Sequence, residues 1–402
     1  MQEQLNKNKK YIRCCIATFM LLFLPSSFVV VYDVISSGFT IFLWIITAIF
    51  ITFDFNYKFS LKTLTVFLLL VIFIWASALV NKENMVVSAK ITFGLFVAFL
   101  YASTYNFNQL HDAFLMLMKV LCVISILGGI AFRVFPNWSA YNVFVNNNGL
   151  AVNNAYIYIN AISSYRNFGM FWEPGAFGVF INFALFLELR KNEVNIISIL
   201  IYVVTIVTTF STTAFIGLAV LLIYFLFNLK RFRLSTRLCF LFMLAVLALV
   251  AFANYNYLIN GVNSVFGKVL YFLRGGKSIS AEVRFNSVTK AIEATKKAPI
   301  FGLGQNGLGD FAGGMVTCTM LNWFGAYGIF FGSLMLVGFC KFAKFLGKTF
   351  WKTLFCFAFV FLITFSEDLT TNAFILLIGI YGYDSGLREE LIQESKEDKR
   401  KT

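Results

Sequence analysis

An arginine and a carboxylate stand seven residues apart in Arg166-Asn167-Phe168-Gly169-Met170-Phe171-Trp172-Glu173-Pro174, just ahead of a long apolar run. Pro174 suits the first position of a helix, where its missing N–H costs nothing. Glu173 then falls at the cap, its charge near the positive end of the helix dipole. An acid at the edge of an apolar span is either such a cap or a group held there for chemistry, because ionisable residues at a membrane boundary are costly. Arg166 is either an interfacial side chain with its head in water or a ligand for an anion. A second arginine, Arg284, opens a stretch with helical signals: Ser280 as cap, Glu282 in the first turn, Lys296 and Lys297 in the last, and Ala298-Pro299 as the stop. Its surroundings are basic, with Lys268, Arg274, Lys277, Lys290, Lys296 and Lys297 against Glu282, Glu293 and Asp310. That is either a solvated cationic face or a site for an anionic ligand.

Other groups invite weaker readings. Asn142, Asn146, Asn147, Asn148, Asn153 and Asn154 alternate with Trp138, Tyr141, Tyr156 and Tyr158. Amides and aromatic faces suit sugars, but a turn-rich loop of biased composition explains them equally. Glu367 and Asp368 form a second pair of acids. Gly302-Leu303-Gly304-Gln305-Asn306-Gly307 matches a dinucleotide fingerprint by letters only, since that motif needs a preceding strand and a βαβ unit. A turn packed close to another backbone is the plainer reading. None of the seven cysteines falls in a CxxC pair, and His111 is the only histidine, which excludes a multi-histidine metal site. It is placed in a short cytoplasmic loop.

What must hold these residues is a membrane bundle. The chain is 59% hydrophobic and only 13% charged, against about half and a quarter in an ordinary soluble domain. The apolar runs are continuous and about 20 residues long, which selects helices over a barrel. The expected fold is an all-α polytopic bundle of about twelve spans: 14–32, 37–54, 61–80, 88–105, 113–133, 171–189, 194–210, 213–229, 237–254, 319–340, 353–366 and 370–384. Residues 194–229 as one helix would measure about 54 Å, beyond a ~30 Å hydrocarbon core, so the chain is expected to turn at Ser211-Thr212-Thr213. Lys58 and Lys62, Arg190 and Lys191, Lys230 to Arg237, and Lys341 to Lys352 fall on alternate connections, on the side of the basic N-terminus. The positive-inside rule makes that side cytoplasmic. The C-terminal tail, about 385–402, shares it. Two long connections, about 134–170 and 255–318, lie outside and are expected to carry short helices. The net charge of +14 serves orientation, and no soluble basic domain exists to bind nucleic acid.

Taken together, Arg166…Gly169-Met170-Phe171-Trp172-Glu173-Pro174, Phe210-Ser211-Thr212-Thr213, and Arg284 leading into Ala298-Pro299-Ile300-Phe301-Gly302-Leu303-Gly304 resemble the O-antigen polymerase (Wzy) family, within the O-antigen ligase/polymerase superfamily. The resemblance implies a bacterial inner-membrane glycosyltransferase of lipopolysaccharide biosynthesis. It would move a growing glycan from undecaprenyl pyrophosphate onto a lipid-linked repeat unit at the periplasmic face. It implies catalytic roles for Glu173, Arg284 and Arg166, with the arginines on the pyrophosphate and Glu173 on the acceptor hydroxyl. Substrate contacts fall to Arg274, Lys277, Asn167, Ser211, Thr212 and Asn322. No cofactor or metal is implied, arginine standing where other enzymes use a divalent cation. The partners implied are undecaprenyl-pyrophosphate-linked oligosaccharides, membrane lipid and a chain-length regulator protein. The nearest alternative, O-antigen ligase, has a histidine just before the next span, whereas Val316-Thr317-Cys318-Thr319-Met320-Leu321-Asn322-Trp323 has none. A lipid-linked oligosaccharide flippase or transporter is the other.

Overall fold

A computed structural model describes residues 2–32, 34–54, 60–136, 142–145, 151–155, 158–161, 166–191, 193–228, 234, 237–238, 241, 279–314, 316–365 and 367–384. The expected span 237–254, the tail 385–402, Arg274 and Lys277 fall largely or wholly outside them. In chain order the helices are α1 (Gln2–Ser26), α2 (Phe28–Val31), α3 (Ser37–Thr52), α4 (Leu61–Asn81), α5 (Met85–Thr104), α6 (Phe107–Val134), α7 (Pro174–Arg190), α8 (Ile196–Thr209), α9 (Thr212–Phe227), α10 (Ile279–Lys297), α11 (Gln305–Ala312), α12 (Thr319–Gly347), α13 (Phe350–Thr364) and α14 (Ala373–Tyr381). Polar caps start many of them: Ser36, Ser60, Asn84, Asn195, Ser211 and Asn372 each accept a hydrogen bond from a backbone N–H in the first turn. Among the described residues, α4, α5, α6 and α12 are long and apolar enough to cross a membrane, and α3, α8, α9 and α13 are shorter apolar helices. The outward side chains are apolar too, for example Phe42, Ile49, Leu68, Ile72 and Phe330, as a lipid-facing bundle requires. The protein is a helical membrane protein.

Two departures from expectation concern connections. His111 lies within the first turns of α6 and pairs with Asp112 rather than sitting in a loop. Between α6 and α7 the chain forms strands, not short helices: β1 (Asn142–Val145), β2 (Ala151–Asn154), β3 (Ile159–Ala161) and β4 (Asn167–Gly169) make an antiparallel sheet in that order. Its register aligns Asn153 with Asn160 and Asn160 with Asn167, a ladder of buried amides. Asparagine is disfavoured in strands, yet these amides lie in the interior. The second connection carries the expected helices, α10 and α11.

The chain divides into two compact units. The first comprises residues 1–117, 170–172 and 286–402. At its centre every residue of α14 is buried, packed by α1, α4, α5 and α12. Tyr381 Oη donates to Tyr105 O at 2.7 Å, and Asn372 Nδ2 to Ser26 Oγ at 2.6 Å. Asp54 takes both the Arg13 guanidinium and the Tyr105 hydroxyl, tying α1, α3 and the end of α5. In this unit α12 is broken at Gly328 (φ 85°, ψ 177°), a conformation open essentially to glycine. The freed backbone groups are taken by the Pro299–Gly304 stretch. Leu303 N donates to Gly325 O and Gly304 N to Ala326 O, both at 2.9 Å, and Ile329 N donates to Pro299 O at 2.8 Å. Ser77 Oγ and Asn81 Nδ2 add bonds to Ala326 O and Gly302 O. A Cβ on Gly302 would collide with the Ala326 carbonyl, so the glycines serve close backbone approach, as the sequence suggested.

The second unit comprises residues 118–169 and 173–285. Its centre is α7, buried from Pro174 through Leu189 and packed by α8, α9 and β4. A Cβ on Gly178 would strike the Ala214 side chain, and Asn182 Nδ2 donates to both Gly178 O and Ala214 O. Small residues let the two backbones approach, and the amide bridges them.

Candidate functional site

The second unit gathers most of the sequence-predicted residues at one end of α7, α8 and α9. Its frame is the break between α8 and α9. Phe210 closes α8 in the left-handed region (φ 46°, ψ 34°), an unusual conformation for an aromatic residue. Ser211 then caps α9, accepting from Ala214 N, while its own N–H donates to Thr209 Oγ1 at 3.2 Å. The expected break is therefore present, one residue earlier than the Ser-Thr-Thr triplet. Because Gly178 in the second turn of α7 touches Ala214 in the first turn of α9, the starts of these helices lie side by side. Two helix N-termini with their unpaired amides thus share one end of the unit.

The arginines attach at this frame. Arg166 Nε donates to Thr209 O at 3.2 Å, satisfying a carbonyl at the end of α8. Arg284 Nη2 donates to Thr213 Oγ1 at 3.3 Å, bridging the start of α10 to the first turn of α9. Both are part-buried, and among the described residues no carboxylate pairs with Arg284. Asn167 is buried: Nδ2 donates to Ser125 Oγ and Thr208 Oγ1 at 3.0 Å each, and Oδ1 accepts from Gly169 N at 2.8 Å. It positions the segment carrying Arg166, with both amide hydrogens committed and one lone pair of Oδ1 still open. Thr212 is half-buried at the first position of α9.

Glu173 occupies the cap position of α7 in an extended conformation, but its side chain makes no capping hydrogen bond. The cap expected from the sequence exists in position only. Its carboxylate is half-buried and without a hydrogen-bond or ion-pair partner among the described residues. A cation held by a neutral hydroxyl and an uncommitted acid, on elements anchored at one end of a buried helix, can bind an anion and accept a proton.

Asn322 belongs to the first unit, one turn into α12, and is buried there. The loop after α13 is pinned to the start of α12: Thr319 Oγ1 donates to Glu367 O and accepts from Leu369 N, and Trp323 Nε1 donates to Thr370 O, all at 2.9 Å. This holds Asp368, whose carboxylate accepts from Thr370 N and Gln305 Nε2 at 3.1 Å each. Burial pushes the Asp368 carboxyl above its ordinary range, opposed by Thr370, Asn322 and Gln305. In the sequence Asp368 is only one of a second pair of acids; no local pattern announces partners 63 residues away.

Residues 197–317 match the family model described as O-Antigen ligase (Wzy_C). The matched stretch contains the α8–α9 break, Arg284 and the Pro299–Gly304 segment, whereas Arg166, Glu173 and Asn322 lie outside it. No curated protein and no solved structure matches the chain.

Proposed function

We propose that this chain, which its match over residues 197–317 joins to the O-antigen ligase/polymerase superfamily, is a surface-polysaccharide polymerase of the bacterial inner membrane. It takes a growing glycan from undecaprenyl pyrophosphate and transfers it to a lipid-linked single repeat unit at the periplasmic face. Both termini are cytoplasmic, connections 134–170 and 255–318 are periplasmic, and a chain-length regulator docks there.

The observation that carries the reading is Arg284 held at Thr213 with no carboxylate paired to it among the described residues, in the same unit as Arg166 and an uncommitted Glu173. In the reaction the acceptor hydroxyl oxygen bonds to the anomeric carbon of the donor glycan. The bond from that carbon to the pyrophosphate oxygen breaks, and its electron pair leaves with undecaprenyl pyrophosphate. The hydroxyl proton passes to the Glu173 carboxylate. Charge that grows on the leaving pyrophosphate is stabilised by Arg284 and Arg166, fixed donors in a partly dry site, whose forked guanidinium groups match phosphate oxygens. The amides at the start of α9, with Ser211 and Thr212, favour the same anion. Arg274 and Lys277, outside the described residues, extend the positive field.

A second reading is favoured by the matched model's own description: an O-antigen ligase, which delivers finished glycan to lipid A–core. Against it stands the absence of histidine from Val316–Trp323. A glycolipid gel of a host deleted for its own copy separates them. A polymerase deletion leaves core bearing one repeat, and this gene restores the ladder. A ligase deletion leaves bare core with polymer accumulating on the carrier lipid.

A further inference from the structure

Helix α10 has three faces where a surface helix in water has two. Its inward face is small and sealed: Ser287, Ala291 and Ala294, at i, i+4 and i+7, are at most 3% exposed. Its large apolar residues point elsewhere. Phe285, Val288 and Ile292 follow at i, i+3 and i+7; Val288 is half-buried, Phe285 is exposed and Ile292 is 45% exposed. The third face, Asn286, Lys290, Glu293 and Lys297, is polar. Lys290 Nζ donates to Glu293 Oε2 at 2.8 Å, and Lys290 and Lys297 both lie over the Phe311 ring of α11. A helix on a soluble domain turns one apolar face to the protein and the rest to water. Two apolar faces and one polar face suit a helix wedged between the protein and a second apolar phase.

What that phase is follows from where the exposed stripe leads. Just past α10 stands Ile300, 52% exposed. It belongs to the segment seated on the break in α12: its carbonyl lies against Gly328, and Pro299 O accepts from Ile329 N. Next along α12, Ile329 and Phe330 are exposed, and the Phe330 ring stacks on Phe73 of α4. At the end of α4, Leu79 and Val80 are exposed as well, while Ser77 and Asn81 bond to Ala326 O and Gly302 O. Both α4 and α12 are long and apolar enough to cross a membrane, so their exposed apolar residues face lipid. The stripe therefore runs, through Ile300, into the lipid-facing surface of two spans. Lys296 follows Ile292 by four residues on the same face and is exposed. Its stem can lie along the stripe while its ammonium reaches the headgroups.

We propose that α10 lies flat in the membrane interface at the Asn81 end of α4, with Val288, Ile292 and Ile300 immersed among acyl chains and Asn286, Lys290 and Glu293 turned to water. Its partner is the lipid surface itself. Arg284, one turn before Val288 on the same helix, is then held at the depth of the lipid headgroups. The inference rests on packing alone and stands apart from the transfer reaction.

The test uses the full chain in a cysteine-free background, in nanodiscs of phosphatidylethanolamine and phosphatidylglycerol, with a single nitroxide label per sample. Power-saturation EPR compares collisions with oxygen, which concentrates in lipid, and with a nickel chelate, which stays in water. Labels at Ile292→Cys and Ile300→Cys should favour oxygen, as should the reference label at Ile72→Cys on α4. The label at Asn286→Cys should favour nickel. A nickel preference at position 292 puts the stripe in water and overturns the proposal. Protection from both reagents overturns it too, because another protein segment or a second copy then covers the stripe. Oxygen preference at position 300 alone also counts against it, since only the segment after α10 would then touch lipid. Should Ile292→Cys fail to insert, Val288→Cys, one turn earlier, reads the same face and decides in its place.

Discussion

Arg284 and Glu173 differ in what their removal should reveal. Arg284→Ala should lower chain-growth activity at least about 100-fold, the scale of one lost transition-state donor, with the protein still inserted. Arg284→Lys should recover little, since an ammonium cannot span both Thr213 and a phosphate oxygen in a fork. Glu173→Gln should abolish transfer by a similar factor without moving the thermal midpoint, because the side chain caps nothing; a drop in stability instead would assign it a structural role. Asp368 gives a pH signature. Its carboxyl is raised in the folded protein, so the folded state holds that proton more tightly than the unfolded chain. This group's contribution is most favourable below the unfolded value of about 3.9 and declines as pH rises towards the folded value. Wild type should therefore lose stability relative to Asp368→Asn as pH climbs from about 4, read from melting curves of the two side by side. Arg166, Glu173 and Ser211 stand out in the sequence because each lies beside the start of an apolar run, and Arg284 because helix-start signals surround it. Asp368, Gln305 and Glu83 do not, since their meeting depends on pairs 63 and 223 residues apart.

The helices were largely readable from the length of the apolar runs and from their caps. The sheet before α7 was not. Its strands are short, and its asparagines signal turns; only the register that aligns Asn153, Asn160 and Asn167 makes them interior. The role of the Gly302–Gly304 turn was half visible: close approach to a backbone was expected, but not that the backbone would be a helix broken at Gly328. Gly302→Ala should cost about 2–4 kcal/mol, combining a left-handed penalty with a clash against fixed backbone. Gly307→Ala, within α11 where an added Cβ meets only the Leu303 side chain at 3.7 Å, should leave stability unchanged or raise it by up to about 1 kcal/mol. Thermal midpoints in detergent of these two variants test whether the turn is structural in the way described.

The chain's two units do not follow its order: the first is drawn from both ends and the second from the middle. Hydropathy alone cannot show this, because lipid-facing and buried helices are equally apolar. Loop charge does bear on orientation. In a cysteine-free background, cysteines placed at Ser36 and Asn306 should react with an impermeant maleimide from outside. Those at Lys58 and Lys348 should react only after the membrane is opened. The reverse pattern would invert the topology. The break in α12 also bears on how the chain is made. A membrane helix with unpaired backbone groups in mid-run is a poor candidate for insertion by itself, each such group costing several kcal/mol in hydrocarbon. Here the segment that completes it, Pro299–Gly304, lies upstream, and the ribosome delivers it first. The helix meets a template already waiting when it emerges, so the direction of translation itself protects a span that needs a companion.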